Sequence, residues 1–173
     1  MNRFYIFLFI VTPLFAQSVL PNSTLTPGDT ASNVMLMELC NPEYRPKIFI
    51  DKETKEKVFK RYRISAQSRS GYYLDLLIPI TLAGSASYKN VWPQPKLGKW
   101  GHDSHTKKTL EKLLNWRVCN ALMTRQDAQK LISENWIEAY QYYVLGDSVY
   151  VPKERPPFFI IKRVAPQDSS QKK

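Results

Sequence analysis

The sequence contains few of the residues that most often build metal or catalytic centres, with two cysteines and two histidines among 173 residues. Neither Cys40 nor Cys119 has a second cysteine at the short CxxC spacing, which argues against a structural zinc site. Both histidines, His102 and His105, fall in one short segment. Any imidazole chemistry must therefore come from that segment alone.

Apolar runs of membrane-spanning length are also missing. Arg3 precedes an almost unbroken apolar run over residues 4–15, and Ala16 follows as a small residue suited to signal peptidase. A run of about twelve residues is too short to cross a bilayer, and the pattern is typical of a secretory signal peptide. We therefore expect a signal peptide at residues 1–16, a secreted or periplasmic protein and no membrane span. The competing interpretation is a buried N-terminal strand or helix.

Export would carry the two cysteines into an oxidising compartment. The simplest interpretation is one disulfide between Cys40 and Cys119, which would tie the start of the domain to the end of a helix. Closing a loop of that length would contribute about 4–5 kcal/mol in the chain-entropy model. Two buried free thiols are the alternative.

Acidic residues are scarce, since 15 Asp and Glu stand against 25 Lys and Arg, which gives a formal net charge of +10. Removal of residues 1–16 would take away only Arg3 and leave most of this excess. Such an excess favours a polyanionic partner, either nucleic acid or an acidic surface. Many secreted proteins are basic for solubility alone, so charge does not decide the function by itself.

Composition along the chain predicts one domain with flanking segments. A chain of this length can bury a single core but not two large ones. We expect a flexible leader rich in Pro, Ser and Thr at residues 17–38, a domain at residues 39–161 and a basic, disordered tail at residues 162–173.

Apolar periodicity predicts three helices and several strands. Asp51 and Thr124 are candidate N-caps of the first and third helix. The predicted helices cover residues 51–62, 104–118 and 124–143; strands are expected at 72–80, 149–151 and 158–161, and a long ordered loop at 81–100. A loop of that length inside a compact domain is usually functional.

Two neighbouring segments carry the most specific pattern in the chain. Residues 73–79 read Tyr-Leu-Asp-Leu-Leu-Ile-Pro, and residues 90–95 read Asn-Val-Trp-Pro-Gln-Pro. Together they resemble the Asp-His-Leu-Ile-Pro…Asn-Leu-Trp-Pro-Gln signature of a small, often secreted branch of the HNH (His-Me finger) endonucleases. The resemblance extends from about Cys40 to Tyr143.

This resemblance implies an α+β fold with a ββα-metal core and additional packing helices. It assigns Asp75 as a metal ligand on the strand, Asn90 as the amide that orients the base, and Mg²⁺ or another divalent cation as the cofactor of an active enzyme. The cation takes oxygen ligands and stabilises charge on the phosphate while a histidine base deprotonates water. Here the base position is Leu76, whose side chain has no lone pair and no titratable proton.

Further departures from the family pattern fall mostly at polar or active-site positions. The cysteines and the large apolar residues are kept, as expected if the fold persists and the original catalysis does not. The departing positions are the family's acidic residue and paired glycines after Ile-Pro, the glycine after the first helix, and the acidic residue after the lysine of the second helix. The acidic residue is Thr81 here, the paired glycines are Ala83 and a retained Gly84, the glycine after the first helix is Arg63, and the acidic residue of the second helix is Lys108.

A relocated catalytic site is the alternative to lost catalysis. Asp75 and His105 would hold a metal, and His102 would act as the base. A helix N-terminus favours the neutral form of imidazole, which suits either role. Two solvent-exposed loop histidines are the plainer interpretation.

Basic residues surround the predicted site. A groove that follows a nucleic-acid backbone needs such a cluster and an aromatic ring for stacking, although a solvated basic face is the simpler alternative. The candidates are Lys89, Lys96, Lys99, Lys107, Lys108, Lys112 and Trp100. We therefore expect a secreted HNH-endonuclease-like protein that binds the DNA or RNA backbone with impaired or lost phosphodiester hydrolysis. An active nuclease with a relocated base and a secreted protein-interaction module are the alternatives.

Overall fold

A computed structural model of the chain describes residues 20–44, 46–96 and 104–146. Over these residues the order of elements is α1 (Leu36–Leu39), α2 (Lys52–Arg61), β1 (Tyr72–Leu76), β2 (Val91–Pro95), α3 (Ser104–Cys119) and α4 (Arg125–Tyr143). Two 3-10 helices, Ala66–Gly71 and Ile80–Leu82, flank β1. Helices combined with a small antiparallel sheet confirm the predicted α+β class at this level.

Several predicted segments lie outside the described residues. They are the signal peptide at residues 1–16, the short strands at 149–151 and 158–161, and the basic tail at 162–173. Among the residues that are described, no helix is both long and apolar enough to cross a bilayer.

Strands β1 and β2 form an antiparallel hairpin that pairs Tyr72 with Pro95 and Leu76 with Val91. Strand β2 lies inside the segment predicted to be a loop, so that prediction is wrong for residues 91–95. Proline cannot donate a ladder hydrogen bond and therefore argues against a strand interior. A two-stranded sheet tolerates proline because each strand has only one bonded edge. Strand β1 ends at Leu76, four residues before the predicted end.

The core lies between α3, α4 and the segment that follows β1. Both helices present apolar residues at spacings of three and four, which puts those residues on one face. Trp92 is buried from the sheet side. The cluster comprises Leu77, Ile78, Leu82, Trp92, Leu110, Leu114, Val118, Met123, Ala128, Ile132, Trp136 and Ala139.

The helix starts confirm the predicted caps. The Asp51 side chain accepts a hydrogen bond from the Thr54 backbone N–H at 2.7 Å. Thr124 Oγ1 accepts one from the Asp127 backbone N–H at 3.1 Å. Each bond gives a partner to one of the N–H groups that the first helical turn leaves free.

Helix α4 contains a sharp kink that apolar periodicity does not reveal. Asn135 has non-helical angles, with φ −158° and ψ 88°. Its Oδ1 accepts a hydrogen bond from the Glu138 backbone N–H at 3.2 Å, so Asn135 caps a second helical segment. This second segment brings the Tyr143 ring to 5.0 Å from the Arg117 guanidinium on α3.

The described part of the predicted leader, residues 20–38, makes contacts with the domain. Thr26 is fully buried, and its hydroxyl is hydrogen-bonded to the Tyr62 hydroxyl at 2.7 Å. Thr30 forms an isolated antiparallel bridge with Gly84. These contacts give polar groups of the segment partners within the domain.

Cys40 and Cys119 form a disulfide with a Cα–Cα distance of 5.4 Å across a sequence separation of 79 residues. The predicted pairing is therefore confirmed. The bond connects the residue after α1 to the last residue of α3. Such a bond fits an oxidising compartment.

Candidate functional site

The candidate site lies where α3 crosses the hairpin. Asp75 on β1 stands opposite Trp92 on β2, so both side chains lie on the same face of the sheet. Trp92 Nε1 donates a hydrogen bond to Asp75 Oδ2 at 3.3 Å. Helix α3 adds Lys107 and Glu111, which are four residues apart and therefore neighbours on the helix surface.

Lys107 forms the centre of this group. Its ammonium lies 2.9 Å from Asp75 Oδ2 and donates hydrogen bonds to Glu111 Oε1 and to the Leu76 backbone carbonyl, both at 2.6 Å. The side chain is only 1% exposed. Lys107 was predicted to contact nucleic acid, but its ammonium is held by these oxygen atoms inside the fold and does not reach the surface.

Burial and charge act in opposite directions on this ion cluster. Burial alone would lower the pKa of Lys107, but the carboxylates of Asp75 and Glu111 outweigh it and raise that pKa. For Glu111, burial disfavours the charged carboxylate and raises its pKa, although the positive charge of Lys107 acts to lower it. Lys107 therefore stays protonated at neutral pH, and it cannot act as a base or nucleophile there.

The two residues that the resemblance links to the base differ in what they can do. Leu76 contributes only its carbonyl to the cluster, and its side chain cannot accept a proton. Asn90 is fully buried, and its amide donates to the carbonyls of Ile78 and Ser85, each at 2.9 Å. Its Oδ1 accepts from the Ile78 N–H at 2.9 Å. The Asn90 amide thus holds the loop after β1.

Lys107 engages the carboxylates at this position. Asp75 and Glu111 each direct an oxygen atom at its ammonium, at 2.9 and 2.6 Å. No group of three or more His, Cys, Asp or Glu side chains suited to a metal occurs among the described residues. His105 belongs to α3, but its side chain, like the whole of His102, lies outside what is described.

The remaining lysines of the predicted surface lie on different parts of the fold. Lys89 precedes β2 and Lys96 follows it, so the hairpin separates these two exposed side chains by roughly 20 Å at about 3.3 Å per residue. Lys108 and Lys112 are exposed on α3. Lys99 and Trp100 lie outside the described residues.

Sequence analysis missed two sets of polar residues. Glu111 completes the ion cluster, and its position four residues after Lys107 was a usable signal. Lys57 and Arg61, also four residues apart, both lie over the Tyr88 ring, at 3.6 and 4.7 Å from its centroid. No sequence signal connects that ring to α2, because the contact spans the chain from α2 to the loop before β2.

Comparisons with known proteins add no relative. No family model, no curated protein and no solved structure matches the chain.

Proposed function

We propose that the chain is an exported nucleic-acid-binding protein on a His-Me finger scaffold, with its phosphodiester hydrolysis impaired or lost. The observation that carries the proposal is the residue at position 76. Leu76 follows Asp75 at the family's base position, and its hydrocarbon side chain cannot accept a proton.

Backbone conformation supports descent from this scaffold. Arg63 and Ala83 have φ of 55° and 63°, in the left-handed region that favours glycine. Both positions are glycines in the family pattern. At Gly84, the glycine that is kept, an added Cβ would lie 1.7 Å from the Ile78 carbonyl oxygen. A diverged member that keeps its backbone while its side chains change would show this combination.

The chemistry of the site supports the loss of hydrolysis. Removing a general base alone usually lowers the rate by about 10²–10⁴-fold, which is roughly 3–5 kcal/mol of barrier. The acidic residue that follows the helix lysine in the family is Lys108 here, which places a positive charge where the family pattern has a negative one. Both substitutions act against the same reaction.

Charge supports the retained binding. The chain carries a formal +10, and Lys89, Lys96, Lys108 and Lys112 are exposed. Contacts from lysine and arginine to phosphate oxygens supply most of the affinity of proteins that bind nucleic acid without reading its sequence.

The proposal is tested with the exported, disulfide-bonded protein and supercoiled plasmid in Mg²⁺ or Mn²⁺. The protein with its unchanged sequence, called the parent below, should bind DNA in a mobility-shift assay and leave the plasmid intact. Leu76→His combined with Lys108→Asp restores both family residues and should produce metal-dependent nicking. Leu76→Gln with Lys108→Asp is the matched control, which carries the same charge but no imidazole, and it should stay inert.

Two results would overturn the proposal in different directions. Nicking by the parent that is lost in His102→Ala or His105→Ala would identify an active nuclease with a relocated base. A parent that neither cuts nor binds DNA would leave the scaffold without nucleic-acid function and favour a protein-interaction role.

A further inference from the structure

We propose that Lys57 and Arg61, which share the Tyr88 ring, and Lys89, the next residue in the chain, form the surface that binds the phosphodiester backbone. This inference rests on the proposed function and names its binding site. The surface differs from the one predicted from the sequence, since only Lys89 belongs to both.

The Tyr88 ring holds two cations together. Lys57 Nζ and the Arg61 guanidinium lie 3.6 and 4.7 Å from the ring centroid, and both come from the last two turns of α2. Cation–π contacts stabilise each charge separately, but they also bring two like charges close to one another. An anion that touches both cations would relieve their repulsion.

No carboxylate among the described residues forms an ion pair with this group. Neither Lys57, Arg61 nor Lys89 has an acidic oxygen within 4.0 Å there. Glu56, beside Lys57 in the chain, is instead engaged by the Arg69 guanidinium in two parallel hydrogen bonds of 2.7 and 2.8 Å. The acidic side chain next to the group is therefore turned to another partner.

The loop that carries Tyr88 and Lys89 is held by its backbone. The N–H groups of Asn90 and Val91 both donate to the Ser87 carbonyl, at 2.8 and 2.9 Å. The Lys89 carbonyl accepts from the Gly28 N–H at 3.0 Å. A fixed platform loses less conformational entropy when it binds a ligand than a free loop would.

The chemistry of the group fits phosphate without base recognition. A guanidinium binds phosphate oxygens through paired N–H groups, and an ammonium adds a point charge. The contact would pair protein cations with phosphate anions and involve no base. We therefore expect an affinity that does not depend on nucleic-acid sequence and that decreases as the salt concentration rises. Each phosphate neutralised on duplex DNA contributes about 0.9 to the slope of log K against log salt.

The test is fluorescence anisotropy of a labelled duplex with the exported protein, from low to physiological salt. Lys57→Gln with Arg61→Gln should weaken binding about tenfold or more at low salt and reduce the salt slope by about 2. The control, Lys47→Gln with Lys130→Gln, removes the same charge from exposed positions elsewhere and should change affinity less than threefold. Equal melting temperatures would show that all variants fold.

A second pair of variants separates placement from charge. Tyr88→Ala keeps both cations but removes the ring that positions them, and it should weaken binding. Tyr88→Phe keeps the ring and should bind like the parent. Heparin and phosphatidylserine vesicles are the competing polyanions, and binding to either as tight as to DNA would overturn the assignment to nucleic acid.

The failures are distinguishable. A parent that binds DNA, with the Lys57 and Arg61 double variant no weaker than the control, would overturn the site and leave the proposed function standing. A parent that binds no DNA at low salt would overturn both.

Discussion

Lys107 on α3 reaches Asp75 on β1, with 2.9 Å between the ammonium nitrogen and Oδ2. The Lys107 side chain is 1% exposed, and that of Asp75 is 25% exposed. The pair links the helix to the hairpin through charge, and the Leu76 carbonyl and Glu111 complete the surroundings of the ammonium. The Lys107 ammonium is therefore the cation that neutralises the carboxylates where α3 crosses the hairpin.

Replacement of Lys107 by Met should lower the free energy of unfolding by about 3–5 kcal/mol, because it leaves two partly buried carboxylates without a counter-charge. Chemical denaturation at neutral pH measures the loss. The loss should shrink toward acidic pH, since protonated carboxyl groups need no counter-charge. Lys108→Met, one residue along and exposed, is the control and should stay within about 0.5 kcal/mol of the parent. A loss from Lys107→Met no larger than this would contradict the central role of the pair.

Gly84→Ala should be strongly destabilising for a reason specific to its surroundings. The new Cβ would lie 1.7 Å from the Ile78 carbonyl oxygen and 2.9 Å from that of Pro79, and backbone atoms cannot move aside cheaply. We expect a loss at the upper end of the range of about 1–3 kcal/mol seen for overpacking. Gly71→Ala is the matched control, since nothing lies within 4 Å of its added Cβ. Thermal denaturation of both variants checks this, and equal melting temperatures would refute it.

Ala121→Gly should stabilise the protein by about 0.5–1 kcal/mol. Ala121 follows α3 with φ 54°, and the next N–H, that of Leu122, donates to the Arg117 carbonyl at 2.9 Å as in a glycine-type helix end. A left-handed alanine costs about 1 kcal/mol that glycine does not incur. The comparison is Ala66→Gly, at an exposed position without positive φ, which should destabilise. Denaturant unfolding measures both variants. A lower midpoint for Ala121→Gly than for Ala66→Gly would reject the prediction.

Stability should fall above pH 10 partly because of Tyr143. Burial, followed by the nearby Tyr142, raises the pKa of Tyr143 from 10.0 to about 12 in the folded protein. Between these values the unfolded chain has lost the phenol proton that the folded chain keeps, so rising pH favours unfolding. Below pH 10 the residue contributes no pH dependence. Tyr143→Phe should therefore flatten the decline between pH 10 and 12, as measured by denaturant unfolding, and an unchanged slope would argue against this origin.

Local signals were sufficient for α2, α3 and the helix starts. Asp51 and Thr124 cap their helices through side chains that lie three residues from the N–H they bind, so no distant contact is needed. The kink in α4 had a comparable signal, an asparagine followed three residues later by Glu138, but the continuous apolar face concealed it.

Strand β2 could not be predicted from its own residues. Pro93 and Pro95 remove two donors, and only the pairing with β1 shows that those positions need none. The packing of residues 20–38 likewise depends on distant partners, as in the bond between Thr26 and Tyr62. The candidate site was also predictable only in part. The motif identified Asp75 and Asn90, but no sequence pattern showed that Lys107 is buried.

The sequence by itself determined the helix-forming segments, the excess of positive charge, the single possible cysteine pair and the hydrocarbon at position 76. These follow from residue types and spacings along the chain. Only the tertiary structure decided that Lys107 neutralises Asp75 inside the fold and that Lys57 and Arg61 share the Tyr88 ring. A lysine reads the same in a sequence whether it faces water or a carboxylate, and packing between distant segments is what separates the two.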